Sequence, residues 1–235
     1  MGLIWDGFTS ALRLLWSRDP ETMEIVWLSL RVSLSATVIA LLLGLPIGML
    51  IAVGRFPGRK LLLAVVNTGM GVPPVVAGLF VTMLLWRSGP LGALGLLYTP
   101  TAMVIAQAVI ATPIVAALTA AALQQVDPGF LLQMRALGAT RTRATGALLA
   151  EARLPLLAAG LAGFGAVVSE VGAAQMVGGN IQDETRVLTT AAVLATSRGQ
   201  FALAIAFGLV LLAIAFAINL LVTLAQQHEA RSSAP

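Results

Sequence analysis

The chain has 235 residues, 58% of them apolar and only 10% charged, with a mean hydropathy of +0.94, against about 25% charged in an ordinary soluble domain. This excludes a soluble globular protein and predicts an all-α integral membrane protein, with residues 1–235 forming a single transmembrane domain. Other chemistries are removed by inventory. There is no cysteine for a disulfide or a thiolate metal site, and the one histidine, His228, lies in a polar tail over residues 226–235, so no metal site and no resident cofactor are expected. The single lysine stands in Arg59-Lys60-Leu61, so no G-x-x-x-x-G-K-[ST] phosphate loop can be written and ATP is not bound here in that way. The sequence pI near 11.0 comes without a basic stripe carrying stacking aromatics, and nucleic acid is not an expected partner.

Residues 1–20 read as an N-terminal helix lying in the membrane interface: Ile4, Phe8, Leu12 and Leu15 recur on one side, with Asp6, Thr9, Arg13 and Ser17 on the other. Asp6 precedes the first basic residue, Arg13, where a signal peptide would place positive charge. Five transmembrane helices follow. The charge-free run Val32 to Gly54 is the first, and Leu61 to Trp86 is the second, interrupted by Gly71-Val72-Pro73-Pro74. About Thr101 to Leu123 is the third, a stretch opening at Leu154-Pro155 and carrying Glu170 is the fourth, and Gly199 to about Ala225 is the fifth.

Basic residues in short loops favour the cytoplasmic side. With the N-terminus outside and the C-terminus inside, Arg55, Arg59, Lys60, Arg135, Arg141, Arg143, Arg153 and Arg231 are cytoplasmic, against Arg13, Arg18, Arg31, Arg87, Arg186 and Arg198 on the other face. An odd span count argues against two inverted halves in one chain, so a transport pathway here calls for a second copy about a twofold axis.

Residues 126–153 form the longest cytoplasmic stretch. Asp127 suits an N-cap, Pro128 the first turn and Gly138 the left-handed position after the last turn. Between them Phe130, Leu131, Met134 and Leu137 share one side of a helix too short to span, which either fills a groove on a partner or folds back on its own bundle. Between spans four and five, Val187, Leu188, Ala191 and Leu194 mark a second short helix, expected at the outer surface.

Two interior features ask for an explanation. Pro73 and Pro74 remove adjacent backbone donors, so the Gly71 to Pro74 stretch either lines or gates a wet pathway or is a kink buried between helices. Glu170 follows 16 uncharged residues counted from Leu154, where a charge costs about 2.5 to 3.5 kcal/mol on insertion scales. Such a charge must face a cavity or a partner. A structural or gate role is therefore expected, with Arg186 or the backbone N–H groups near Gly178-Gly179 as partner.

The segment Arg135-Ala136-Leu137-Gly138-Ala139, followed by basic residues and Leu154-Pro155, resembles the cytoplasmic coupling motif of bacterial ABC importer permeases, although Leu132-Gln133-Met134 stands where that family usually has Glu-Ala-Ala. Asn67 to Leu79 and Ser169-Glu170-Val171-Gly172-Ala173 are similar to the molybdate, sulfate and tungstate group. Glu151-Ala152-Arg153, Ala162 to Gly165, Met176 to Ile181 and Thr185 to Ala191 look like tungstate-type permeases.

The resemblance implies the type I importer permease fold in a bacterial or archaeal cytoplasmic membrane. It also implies a non-catalytic homodimer working with two ATP-binding subunits, which hold ATP and Mg, and an extracytoplasmic solute-binding protein. Phe130, Leu131, Met134, Arg135, Ala136, Leu137, Gly138 and Ala139 would then dock the ATPase. Gly71, Pro73, Pro74, Glu170, Gly172 and Asn180 are the candidates for the translocation route or its gate. The expected cargo is tungstate, moved by ATP-driven alternating access, with molybdate or sulfate as the alternative. An autonomous channel or proton-coupled carrier is the alternative of another class, and a membrane protease lacks the necessary residues.

Overall fold

The computed structural model describes residues 2–232, apart from the side chains at 3, 4, 15, 225 and 227–232. His228, Glu229 and Arg231 of the polar tail, and Ile4 and Leu15 of the N-terminal stripe, therefore have side chains outside the described residues. The regular elements among the described residues are all helices, including one short 3-10 turn at Gly92–Leu94. The helices are α1 (Gly2–Trp16), α2 (Pro20–Val53), α3 (Arg59–Gly71), α4 (Pro74–Leu85), α5 (Pro100–Gln124) and α6 (Phe130–Ala136). They continue with α7 (Arg141–Glu151), α8 (Arg153–Val168), α9 (Gly172–Gly178), α10 (Leu188–Ser197) and α11 (Phe201–Ser232).

Three helices are long and apolar enough to cross a bilayer alone: α2, α5 and the Phe201–Leu224 part of α11. Two bent pairs complete a five-span count, α3 with α4 at 104° and α7 with α8 at 70°. The first span begins well before the charge-free run. Asp19 accepts from the Thr22 amide at 2.9 Å and from its hydroxyl at 2.7 Å, and Pro20 takes the first helical position, which together start α2 here. Glu21, Glu24 and Arg31 are exposed, whereas Thr22, Ile25 and Ser29 are buried, so the helix carries its charges on the side away from the core. The α8 helix has 16 residues, about 24 Å at 1.5 Å per residue and short of a hydrocarbon core of about 30 Å. In the five-span count α7 supplies the remainder, and α9 follows after the interruption at Glu170.

The α5 helix is the hub, packing against α2, α3, α4, α8 and α9. Its small side chains make this possible: Ala102, Ala106, Ala111 and Ala116 are fully buried. The α2–α5 seam is closest at Gly48, where a Cβ would lie 2.5 Å from the Ala116 carbonyl oxygen and from Thr119 Cβ. This is the small-residue approach that joins membrane helices when lipid supplies no hydrophobic drive. The α1 helix docks on α11 through Gly7 against Ile205 and through Ala11. Phe8 and Leu12, from the stripe expected to lie in the interface, remain exposed together with Trp5 and Trp16. Leu188 and Ala191 of α10 are buried against the same α11 cluster, so that helix packs its apolar side inward.

Candidate functional site

Two interrupted helices meet near the middle of the bundle. The first interruption follows from Pro73 and Pro74, which have no N–H to offer the preceding turn. Pro73 serves as the N-cap of α4, and its carbonyl accepts from the Val76 amide at 2.8 Å and the Ala77 amide at 3.2 Å. The α3 helix ends with the Val72 amide on the Gly69 carbonyl at 3.4 Å. Gly71, Pro73 and Pro74 are all exposed.

The second interruption lies between α8 and α9. Its backbone turns through the Ser169 amide on Gly165 at 3.4 Å and the Glu170 amide on Val167 at 3.1 Å. Glu170 is buried, with 8% of its surface accessible. Its Oε1 accepts from the Ala173 amide at 2.9 Å, and its carbonyl accepts from the Thr189 hydroxyl at 3.0 Å. The carboxylate thus satisfies a donor in the first turn of α9, where an acid is favourably placed. The charged partner expected from sequence is engaged elsewhere: Arg186 Nη1 lies 3.4 Å from Glu21 Oε1. Nor do the amides near Gly178-Gly179 reach the carboxylate, because the Gly179 amide donates to Gln175. The nearer i+3 amide needs no long-range closure, and it replaces both expected partners.

The two interruptions are adjacent. A Cβ at Gly172 would lie 2.5 Å from Val75 Cγ2, and one at Gly78 would lie 2.7 Å from Ala173 Cα. The structure therefore brings Pro74, Glu170 and Gly172 into one neighbourhood across the α4–α9 contact. Asn180 is separate. It follows Gly179 at the far end of α9 with φ +53°, and its Oδ1 is buried without a partner. Val75, Gly78, Ala173 and Thr189 complete the neighbourhood; they fall within the family-like segments of the sequence, where none of them is given a role in the site. Only Gly78, a helix-weakening residue inside an apolar run, carried a local signal.

The 126–153 segment folds into α6 and α7. Asp127 holds the entry turn rather than the helix cap: its Oδ1 accepts from the Gly129 amide at 2.5 Å, and α6 starts at Phe130 with Gly129 as N-cap. The exit has the left-handed geometry expected of Gly138, at φ +83°. The Gly138 amide donates to Arg135 at 2.9 Å and the Ala139 amide to Met134 at 3.0 Å, the paired bonds of a Schellman turn.

The expected apolar side is divided. Phe130 and Leu131 pack on the chain's own cluster of Leu123, Leu148 and Ala152, and Met134 and Ala139 are half-buried. Arg135 and Ala136 are exposed, and Leu137 and Leu132 are 82% and 67% accessible. Beside α6 lies an open groove of about 820 Å³ whose walls carry Arg55, Arg59, Lys60 and Asp127. Arg59 Nε donates to the Ile51 carbonyl at 2.7 Å, fastening the α2–α3 turn at the end of α2.

Residues 44–232 match the family of binding-protein-dependent transport system inner membrane components. The chain belongs to this family. It is a permease subunit of the ABC importer type and a multi-pass inner membrane protein.

The permease is 39% identical over 227 residues to the tungstate uptake system permease protein TupB of Peptoclostridium acidaminophilum, covering 97% of this chain and 100% of that one. It is 35% identical to TupB of Campylobacter jejuni, over 92% of this chain and 90% of the relative. The molybdenum transport system permease protein ModB of Escherichia coli is 30% identical over 74% of this chain and 79% of its own length. Among solved structures, a chain of the MetNI methionine ABC transporter superposes with a TM-score of 0.72 at 23% identity, covering 95% of the permease and 99% of that chain. This likeness extends the family assignment to the type I permease fold.

Proposed function

We propose that the permease forms the membrane pathway of a tungstate importer. The observation that carries this reading is the near full-length similarity to two permeases named for tungstate uptake. A homodimer of parallel copies, with the N-terminus outside and the C-terminus in the cytoplasm, would surround the pathway. Two ATP-binding subunits holding ATP and Mg would drive alternating access, and an extracytoplasmic solute-binding protein would deliver the oxyanion. The chain itself catalyses no bond change and holds no cofactor in this scheme.

The geometry supports a division of labour. Leu132, Arg135 and Leu137 are exposed beside the rigid Gly138 turn, which suits them to an ATPase cleft, while Phe130, Leu131 and Met134 anchor that helix to the bundle and pass on its displacement. The exposed Gly71 to Pro74 stretch lines the route. Gly172 lets α9 approach it closely, Glu170 holds the α8–α9 interruption as a gate post without presenting a bare charge to an anion, and Asn180 marks the far end of α9.

Cellular tungsten and molybdenum, measured by elemental mass spectrometry in a deletion strain given limiting amounts of both oxyanions, test the cargo. Loss of tungsten alone, restored by the wild-type gene, is the expected outcome. Loss of molybdenum instead would move the assignment to the runner-up cargo, for which the similarity to ModB gives the reason.

A further inference from the structure

Polar side chains from four parts of the bundle converge where an apolar interior would be expected. Ser29 and Ser33 of α2, Gln107 of α5, Glu170 at the α8–α9 interruption and Thr189 of α10 line one cavity of about 10 Å³, and all five are buried. Several of their bonds are settled. Ser29 Oγ donates to the Ile25 carbonyl at 2.6 Å and accepts from the Leu188 amide at 2.8 Å. Thr189 donates to the Glu170 carbonyl at 3.0 Å, and Glu170 Oε1 accepts from the Ala173 amide at 2.9 Å.

Gln107 remains. The residue is 3% accessible, and its Oε1 is buried without a partner. Buried amide oxygens are almost always bonded to protein or to ordered water. Here the cavity wall adds a carboxylate, a second acceptor, and no charged donor: Glu170 is its only ionisable residue, and Arg186 is turned to Glu21. Gln107 and Glu170 line the same small space, and a guest that donates twice would satisfy an acceptor on each.

We propose that this cavity binds a single water molecule, which donates one hydrogen to Gln107 Oε1 and the other to the Glu170 carboxylate. A volume of about 10 Å³ reaches the lower bound for one water, which typically needs two to four polar partners. The hydroxyl of Ser33, lining the same cavity, can supply the third. A metal ion fits less well: Ser29 Oγ is already engaged as donor and as acceptor, and the oxygens of Gln107, Glu170, Ser33 and Thr189 around the space are fewer than the six to eight ligands a hard cation such as calcium takes. The water adds a polar link between the hub helix α5 and the α8–α9 interruption to the direct packing of α5 on α8 and α9.

Imaging of the full-length permease in its native assembly, at a resolution that shows ordered water, provides the direct test. One peak within hydrogen-bonding distance, about 2.7 to 3.2 Å, of both Gln107 Oε1 and the Glu170 carboxylate is expected. Absence of that peak in the wild-type protein overturns the proposal. Thermal unfolding of Gln107→Leu, Glu170→Gln and the double variant supplies an independent reading. If the two side chains share a guest, the double variant loses less than the summed shifts, and strict additivity counts against it. Exchanging sodium for choline should leave the wild-type midpoint unmoved. A sodium-dependent midpoint that vanishes in Glu170→Gln would make the guest a cation and overturn the assignment to water.

Discussion

Gly78 on α4 lies so close to Ala173 on α9 that a Cβ at position 78 would stand 2.7 Å from Ala173 Cα and 3.0 Å from its Cβ. The obstruction is largely backbone, so no rotamer change relieves it. Gly78→Val should push the two segments apart, at a cost of about 1 to 3 kcal/mol for an overpacked interior, and reduce uptake roughly tenfold or more. Thermal unfolding of the purified protein and uptake at matched membrane abundance measure the two effects. Gly71→Ala is the contrast for stability: a Cβ there meets nothing within 4 Å, and the unfolding midpoint should stay at its wild-type value.

Replacing Pro73 and Pro74 together with alanine returns two N–H donors to the chain and lets α3 and α4 approach a continuous helix. Since the pair is bent by 104°, straightening would carry α4 away from α9. Uptake should fall below about a tenth of wild type at unchanged expression. Unchanged uptake would remove the interruption from the transport route.

At Gly138 the two relevant effects separate. Its φ of +83° is unfavourable for alanine by about 1 to 2 kcal/mol, whereas aspartate visits this region more readily. No atom lies within 4 Å of a Cβ placed there. Gly138→Asp keeps part of that backbone strain, so at matched membrane abundance it should retain ATP hydrolysis by the complex and lose uptake, because a charge now sits on the turn proposed to dock the ATPase. Hydrolysis and uptake assayed together in proteoliposomes decide this. Full uptake in Gly138→Asp would sink the coupling role.

Asp19 provides a pH dependence with a defined sign. The Thr22 hydroxyl, and after it the Thr22 amide, hold its carboxyl below the usual carboxylate value. The capping contribution is accordingly complete above an ordinary aspartate pKa of about 3.9 and is lost as pH falls through the lower folded-state value. Asp19→Ala should lower stability by about 1 kcal/mol near neutrality, with the difference from wild type shrinking in acid. Asp19→Asn keeps an acceptor without a titrating proton and should show no such acid dependence. Unfolding midpoints between neutral and acid pH give the comparison.

Much of this architecture is legible in the sequence because lipid imposes a simple rule: charge is kept out. The charge-free runs locate the spans, Pro73 and Pro74 locate a break, and Gly138 locates a left-handed turn. The same rule misplaces the start of α2, since Glu21, Glu24 and Arg31 occupy the exposed side of a helix whose other side is already packed. For Glu170, opposite charge suggested Arg186, but an amide three residues away satisfies the carboxylate at 2.9 Å. Helical spacing groups Phe130, Leu131, Met134 and Leu137 on one side, yet it does not say which of them the bundle covers: Phe130 and Leu131 pack inward and Leu137 is exposed. The meeting of Val75 with Gly172 depends on two bends in separate segments, and no periodicity within either one encodes it.

The close seam between α2 and α5 limits what can move. With Gly48 set against the Ala116 carbonyl and Thr119, neither helix can slide along the other without driving side chains into backbone. The pair therefore forms a keel. The breaks at Pro73-Pro74 and at Glu170 lie off this pair, and their segments meet each other where Val75 faces Gly172 and Gly78 faces Ala173.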